Sequence, residues 1–145
     1  MTPPRPAPHR DWRLLGPVAL GGAAGSVLRY LFSFLNSKDP AGWPVGTLAV
    51  NVIGAFALGL LLEAIARRGP EDRRLQRLRL TVGTGVLGGF TTYSSFALEV
   101  ERHLSVGAVG VTLGYVGLTL VVGTAAAIAG VLLGARLPGR GVASR

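Results

Sequence analysis

Four stretches almost free of ionisable residues constrain this chain more than any other feature: Leu14 to Asn36, Pro40 to Leu62, Leu80 to Leu98 and Leu104 to Ala135. Only Arg29 interrupts them. At a helical rise of 1.5 Å per residue, roughly 20 apolar residues cross the hydrocarbon of a bilayer, so each stretch is long enough to span. Charged residues make up 15% of the 145, where a soluble domain carries about 25%. The pattern predicts an all-α integral membrane protein with four transmembrane helices over residues 14–135, a polar N-terminal arm over 1–13 and a basic C-terminal tail over 136–145. The arm and the tail have too little apolar surface to offset ordering entropy and are expected to be disordered. The first apolar run is full-length and follows a polar arm, so no signal-peptide cleavage is expected. The chain has no cysteine, which excludes a disulfide framework, a thiolate metal site and a cysteine nucleophile.

A net charge of +8 raises the question of nucleic acid, and the distribution of the charge answers it. Four spans put the N-terminus, the loop between the second and third spans and the C-terminus on one side. That side holds Arg5, Arg10 and Arg13, then Arg67, Arg68, Arg73, Arg74, Arg77 and Arg79, then Arg136, Arg140 and Arg145, against only Lys38 and Arg102 opposite. The positive-inside rule makes both termini cytoplasmic. Trp12 and Trp43 stand near helix starts, where interfacial anchors are expected. No basic and aromatic constellation for nucleic acid accompanies the charge, so no nucleic-acid partner is expected.

The third stretch contains GVLGGFTTYSSF, from Gly85 to Phe96. A glycine pair followed by four hydroxyl side chains predicts a broken helix, which lipid tolerates only where the backbone is buried in protein or lines a polar cavity. Gly21/Gly25, Gly85/Gly89, Gly110/Gly114 and Gly130/Gly134 have the four-residue spacing of close helix packing. A four-helix bundle is too thin to enclose a pore, so a pathway between subunits, most simply of a dimer, is expected.

Several polar side chains fall inside the spans. Thr47 and Asn51 share one face of the second helix, and Thr112, Tyr115 and Thr119 form a stripe on the fourth. Either stripe serves interhelical hydrogen bonding or an ion path. Arg29 either snorkels to the interface or, at a depth similar to Asn51, lines a shared vestibule whose positive charge favours an anion. Tyr93 and Phe96 stand at i, i+3 beside Thr91, Thr92, Ser94 and Ser95. Aromatic ring edges are positive and attract an anion without a full charge that would trap it. Unwound carbonyls at Gly88 and Thr91 are suited to a small hard cation such as sodium.

At these residues the chain resembles the CrcB/Fluc family of fluoride channels. The motifs are GGAAGSVLRY (Gly21 to Tyr30), GTLAVNVIG (Gly46 to Gly54), GGFTTYSSF (Gly88 to Phe96) and YVGLT (Tyr115 to Thr119). The resemblance covers about Leu14 to Leu133. It implies an antiparallel dimer in the cell membrane with two narrow fluoride pathways, passive electrodiffusive export, and a structural sodium ion at the dimer centre. It further implies that the carbonyls of Gly88 and Thr91 bind sodium, that Asn51 serves fluoride directly, that Tyr93 and Phe96 occupy the two aromatic-box positions, and that Tyr115 and Thr119 form the polar track. Thr47, Ser94 and Ser95 complete the expected pathway, with Arg29 at the vestibule. The family usually has phenylalanine at the position of Tyr93, and often a serine at that of Gly123.

Insertion in both orientations calls for balanced Lys/Arg across the loops. The asymmetry here predicts one fixed orientation and therefore a second, oppositely biased homologous subunit as partner. Rival readings are a small proton-coupled exporter of lipophilic cations and a non-transporting assembly subunit. The exporter needs an acidic residue near mid-membrane, whereas Glu63 and Glu99 fall at the ends of the charge-free stretches. No nucleophile and base pair suggests an enzyme.

Overall fold

The computed structural model describes residues 14–36 and 38–138, and its regular structure there is entirely helical. The arm over 1–13, with Trp12, and most of the tail lie outside the described residues. Three helices are long and apolar enough to cross a membrane: α1 (Leu15–Ser33), α2 (Val45–Ala66) and α6 (Val109–Ala135). The third stretch is segmented. It begins as α3 (Arg73–Leu78), widens into a π-helical segment (Arg79–Leu87), tightens to α4 (Gly88–Phe90), and resumes after the break as α5 (Tyr93–Ser105).

Local chemistry accounts for these boundaries. Asp72 caps α3, its Oδ1 accepting from the N–H groups of Arg74 at 2.9 Å and Leu75 at 2.8 Å. The last stretch starts later than expected, because Leu104 and Ser105 still belong to α5. That helix closes at Gly107, whose φ of 74° is open to glycine. Gly107 N–H bonds the Leu104 carbonyl and Ala108 N–H the His103 carbonyl, a Schellman closure.

The glycine pairs sort the helices into two sets. Gly21 and Gly25 of α1 lie against the backbone of Thr81, Val86 and Phe90, while Gly85 and Gly89 lie against Val18 and Gly22 of α1. The two motifs therefore face each other. Gly59 of α2 meets the Ala127 carbonyl, and Gly130 and Gly134 of α6 meet Phe56, Leu60 and Glu63 of α2. Between the sets, Gly54 makes room for the Thr91 side chain at the break. The pair Gly110/Gly114 departs from expectation: nothing lies within 4 Å of a side chain at Gly110, and Gly114 meets only the Trp43 ring, at 3.6 Å. That face of the first turns of α6 is open, while Thr112 and Tyr115 on another face are buried.

Little of the apolar surface is covered. Val50 and Tyr115 are the largest fully buried side chains among the described residues, while Leu20, Leu113, Leu120, Val121 and Leu132 are each at least 60% exposed. Such surface requires lipid or another subunit against it.

Candidate ion pathway at the broken helix

The backbone leaves helical geometry at Thr91 (ψ 159°) and Thr92 (φ −151°, ψ 125°). Asn51 holds both sides of the second of these peptides. Its Oδ1 accepts from Thr92 N–H at 2.9 Å and its Nδ2 donates to the Thr92 carbonyl at 3.0 Å. Thr92 Oγ1 accepts from Ser95 N–H at 3.1 Å and so caps α5, with the Ser94 hydroxyl at 3.2 Å and the Ser95 hydroxyl at 3.1 Å.

In an unbroken helix Thr92 N–H would bond the Gly88 carbonyl and Ser95 N–H the Thr91 carbonyl. Asn51 and Thr92 take those two donors, so the carbonyls of Gly88 and Thr91 lose their helical partners. These are the oxygens expected to hold sodium, and a carbonyl without its helical partner suits a hard cation, although that of Thr91 has one lone pair engaged by a guanidinium. Arg29 also reaches the break, its Nη1 donating to the Thr91 carbonyl at 3.3 Å. Its side chain thus turns toward the break, where it is half-buried.

A second cluster centres on Glu99, one turn beyond Phe96. Its Oε1 accepts from the Thr47 hydroxyl at 2.5 Å and from Asn36 Nδ2 at 3.2 Å. Its Oε2 accepts from the Tyr115 hydroxyl at 2.8 Å. Asn36, just past α1, also accepts at Oδ1 from the N–H groups of Gly46 at 2.6 Å and Thr47 at 3.2 Å, satisfying donors that α2 leaves open at its first turn. The carboxylate thereby ties the end of α1, the start of α2, α5 and α6 together. Sequence reasoning placed Glu99 at a segment end; it stands inside the site instead, and Asn36 was missed with it. The available signal was an acid three residues after Phe96, flanked by Leu98 and Val100.

Two small polar cavities adjoin this cluster. One, of about 60 Å³, is lined by Arg29, Ser33, Asn36, Thr47, Ser95 and Glu99, among others. The other, of about 40 Å³, is lined by Asn36, Asp39, Glu99, Arg102 and His103, among others. Each has room for water, which needs about 10–15 Å³ by this measure. Asn36 and Glu99 line both cavities, so their hydrogen bond stands between them.

The aromatic side chains form a chain beside this cluster. Tyr93 is 81% exposed; its ring lies 6.2 Å from that of Phe96, which lies 5.2 Å from Tyr115. Trp43 and His103 present ring edges to Tyr115 at 6.4 and 5.9 Å. Thr119, the next turn of α6, has a buried hydroxyl oxygen with no hydrogen-bond partner among the described residues. Thr112 spends its hydroxyl on the Ala108 carbonyl of its own helix at 3.0 Å. Thus Thr47, Ser95, Phe96, Tyr115 and Arg29 converge around Glu99. Asn51 pins the break, and Tyr93 faces outward.

Residues 17–131 match the family described as CrcB-like protein, camphor resistance (CrcB). The chain belongs to the CrcB family. It is 44% identical over 129 residues to the fluoride-specific ion channel FluC 2 of Leifsonia xyli subsp. xyli, covering 89% of this chain and 88% of that one. Over 121 residues it is 46% identical to the fluoride-specific ion channel FluC of Agrobacterium fabrum, covering 83% and 94%. The FluC of Deinococcus radiodurans is 45% identical over 124 residues, with coverage of 83% and 94%. With three helices long and apolar enough to span, this CrcB chain is a membrane protein.

Proposed function

We propose that this chain is a subunit of a fluoride-specific channel that lets cytoplasmic fluoride leave passively and so protects the cell. The observation that carries the reading is the convergence of Thr47, Asn36 and Tyr115 donors on one carboxylate inside a membrane fold. Glu99 occupies a seat built for an anion. When its side chain swings away, three neutral donors are left for a small, strongly hydrogen-bonding anion, and the cavities on either side become continuous. The relatives' names supply the identity of that anion. Fluoride enters cells as its weak, neutral acid and is trapped on dissociation; an inside-negative potential then contributes about 2.3 kcal/mol per charge per 100 mV toward exit. No reaction is catalysed.

The interrupted segment from Arg73 to Ser105 serves as the fourth span, and both termini face the cytoplasm. An antiparallel dimer places a second copy of the break against the exposed Gly88, and the freed carbonyls of Gly88 and Thr91 would hold a structural sodium ion there. Bound sodium would supply positive charge that fixes the two breaks together. The one-sided arginines support a partner that is a second homologous subunit of opposite orientation, and two relatives bear the name FluC 2. Fluoride meets Tyr93 and Phe96 at their ring edges and the hydroxyls of Tyr115 and Thr119 along the track; Asn51 has a second amide hydrogen to offer. Ser94 and Ser95 complete the path. Glu99 is also an acid inside the fold of the kind a proton-coupled exporter of cations would need, though it is only half-buried, and Arg29 lines the same cavity and disfavours a cation there.

Fluoride efflux from liposomes in sodium buffer, read by electrode under a valinomycin-collapsed potassium gradient, tests the reading. Fast, chloride-rejecting efflux is expected from the chain together with its partner subunit. Efflux from the chain alone would remove the need for a second gene product. Silence of a well-folded pair would refute the channel.

A further inference from the structure

A cavity of about 700 Å³ lies at the opposite end of the fold from Glu99. Its walls come from the loop after α2 (Arg68), from α3 (Arg74, Leu75, Arg77 and Leu78), from the start of the π-helical segment (Thr81 and Val82), and from Pro138 beyond α6, with Asp72 at its rim. The size falls within the roughly 300–1,000 Å³ of small-molecule sites. The family's pathway makes no use of it.

The charges around the cavity are divided. Arg67 pairs with Glu63 at 3.9 Å and Arg79 with Glu71 at 2.9 Å. Arg68, Arg74 and Arg77 have no ion pair among the described residues. The single lining acid, Asp72, has an oxygen committed to the backbone N–H groups of Arg74 and Leu75. Three guanidiniums against one carboxylate leave the wall positive, with donors in the fork geometry that matches phosphate.

The apolar residues run in one direction. Leu75, Leu78 and Val82 follow one another at i, i+3 and i+7, on one face of a helical segment. They lead from the level of the arginines toward the charge-free stretch that begins at Leu80. A soluble phosphate compound has no use for such a descent; a phospholipid, with an anionic head and an acyl chain, matches both halves. We propose that this cavity binds an anionic phospholipid of the adjacent leaflet, with the phosphate held by Arg68, Arg74 and Arg77 and the chain along Leu78 and Val82. Basic pockets at the cytoplasmic ends of spans bind such headgroups by this chemistry.

Native mass spectrometry of the purified full chain, titrated with phosphatidylglycerol or phosphatidylcholine, tests the proposal. Phosphatidylglycerol is expected to bind at least about tenfold more tightly, and the variant R68Q/R74Q/R77Q to lose roughly 10- to 100-fold of that affinity. The variant R67Q/R73Q/R79Q removes equal charge from the same region outside the cavity and is expected to stay within about threefold of the native chain. Equal binding of the two lipids, displacement of phosphatidylglycerol by inorganic phosphate at matched concentration, or equal losses in the two variants would each overturn the site. The first two measurements need only the native chain, so a misfolded variant does not remove the test.

Discussion

Replacing Asn51 by alanine separates two roles that this side chain can play. Asn51 satisfies both the N–H and the carbonyl of Thr92, which is 7% exposed, at 2.9 and 3.0 Å. Counted as ordinary hydrogen bonds in a membrane bundle, at about 0.6 kcal/mol each, the pair contributes only about 1 kcal/mol. Counted as buried groups left without partners, at about 1–3 kcal/mol each, the loss is about 2–6 kcal/mol. The second figure applies, because a side chain truncated to a methyl group leaves the N–H and the carbonyl of buried Thr92 without protein partners, and water from the adjacent cavity of about 60 Å³, which Thr92 also lines, sets the loss toward the lower end of that range. Against a net stability of about 5–15 kcal/mol, such a loss is large. N51A is therefore expected to lower the unfolding midpoint in detergent clearly and to abolish fluoride efflux; N51D keeps the acceptor for Thr92 N–H but sets a carboxylate oxygen against the Thr92 carbonyl, so it is expected to lose stability as well. An N51A protein of native stability that conducts normally would refute the clamp. Native stability with no conduction would assign Asn51 to the ion itself rather than to the break.

Other substitutions probe the packing and the donor cluster. G25A places a methyl group against the Val86 carbonyl and the Phe90 amide and is expected to prevent stable assembly, whereas G110A meets nothing within 4 Å and should leave the unfolding midpoint of the isolated subunit unchanged. Y115F deletes the 2.8 Å bond to Glu99; bonds to charged groups contribute about 1.5–3 kcal/mol, and slower efflux with a lower midpoint is expected in the same preparations. Y93F, at a position 81% exposed, should change stability by no more than about 0.5 kcal/mol, so any change in the fluoride-to-chloride efflux ratio would report the hydroxyl's part in the path. Replacing sodium by N-methylglucamine in the liposome assay should stop efflux if the carbonyls of Gly88 and Thr91 hold a structural cation.

The three long apolar helices were legible because a bilayer forbids charge, and the break was legible because GGFTT combines residues that abandon a helix with hydroxyls that re-satisfy it. The widening over Arg79–Leu87 left no such mark: its glycines permit close approach to α1, but the same composition fits an ordinary helix. Likewise the delayed start of α6 depends on Gly107, which the charge-free run simply absorbed. Glu99 and Asn36 were misplaced for a more general reason. Closing the third span just before its first charged residue and the first span at Asn36 puts both residues at ends, so a carboxylate inside the fold is invisible until its donors are located. Thr112, whose stripe leaves interhelical bonding and an ion path both open, gives its hydroxyl to its own helix instead, an outcome that helical spacing alone does not reveal.

Arg29 and Glu99 line the same cavity of about 60 Å³ yet form no ion pair with each other. A lone guanidinium there would bind an anion too well to release it, since in a low-dielectric interior the attraction between unit charges far exceeds its value in water. A lone carboxylate would exclude the anion altogether. Conduction needs entry and release in the same path, and a guanidinium and a carboxylate separated by neutral donors meet both demands. Arg29 is held partly in check by the Thr91 carbonyl, and Glu99 by Thr47, Asn36 and Tyr115. In the proposed channel an arriving fluoride would compete for those three donors and be left with weak partners once the carboxylate returned. The break supplies the carbonyl that engages Arg29, and Asn51 holds the break, so in the proposed channel the selectivity of the cavity and the interruption of the helix would have one structural origin.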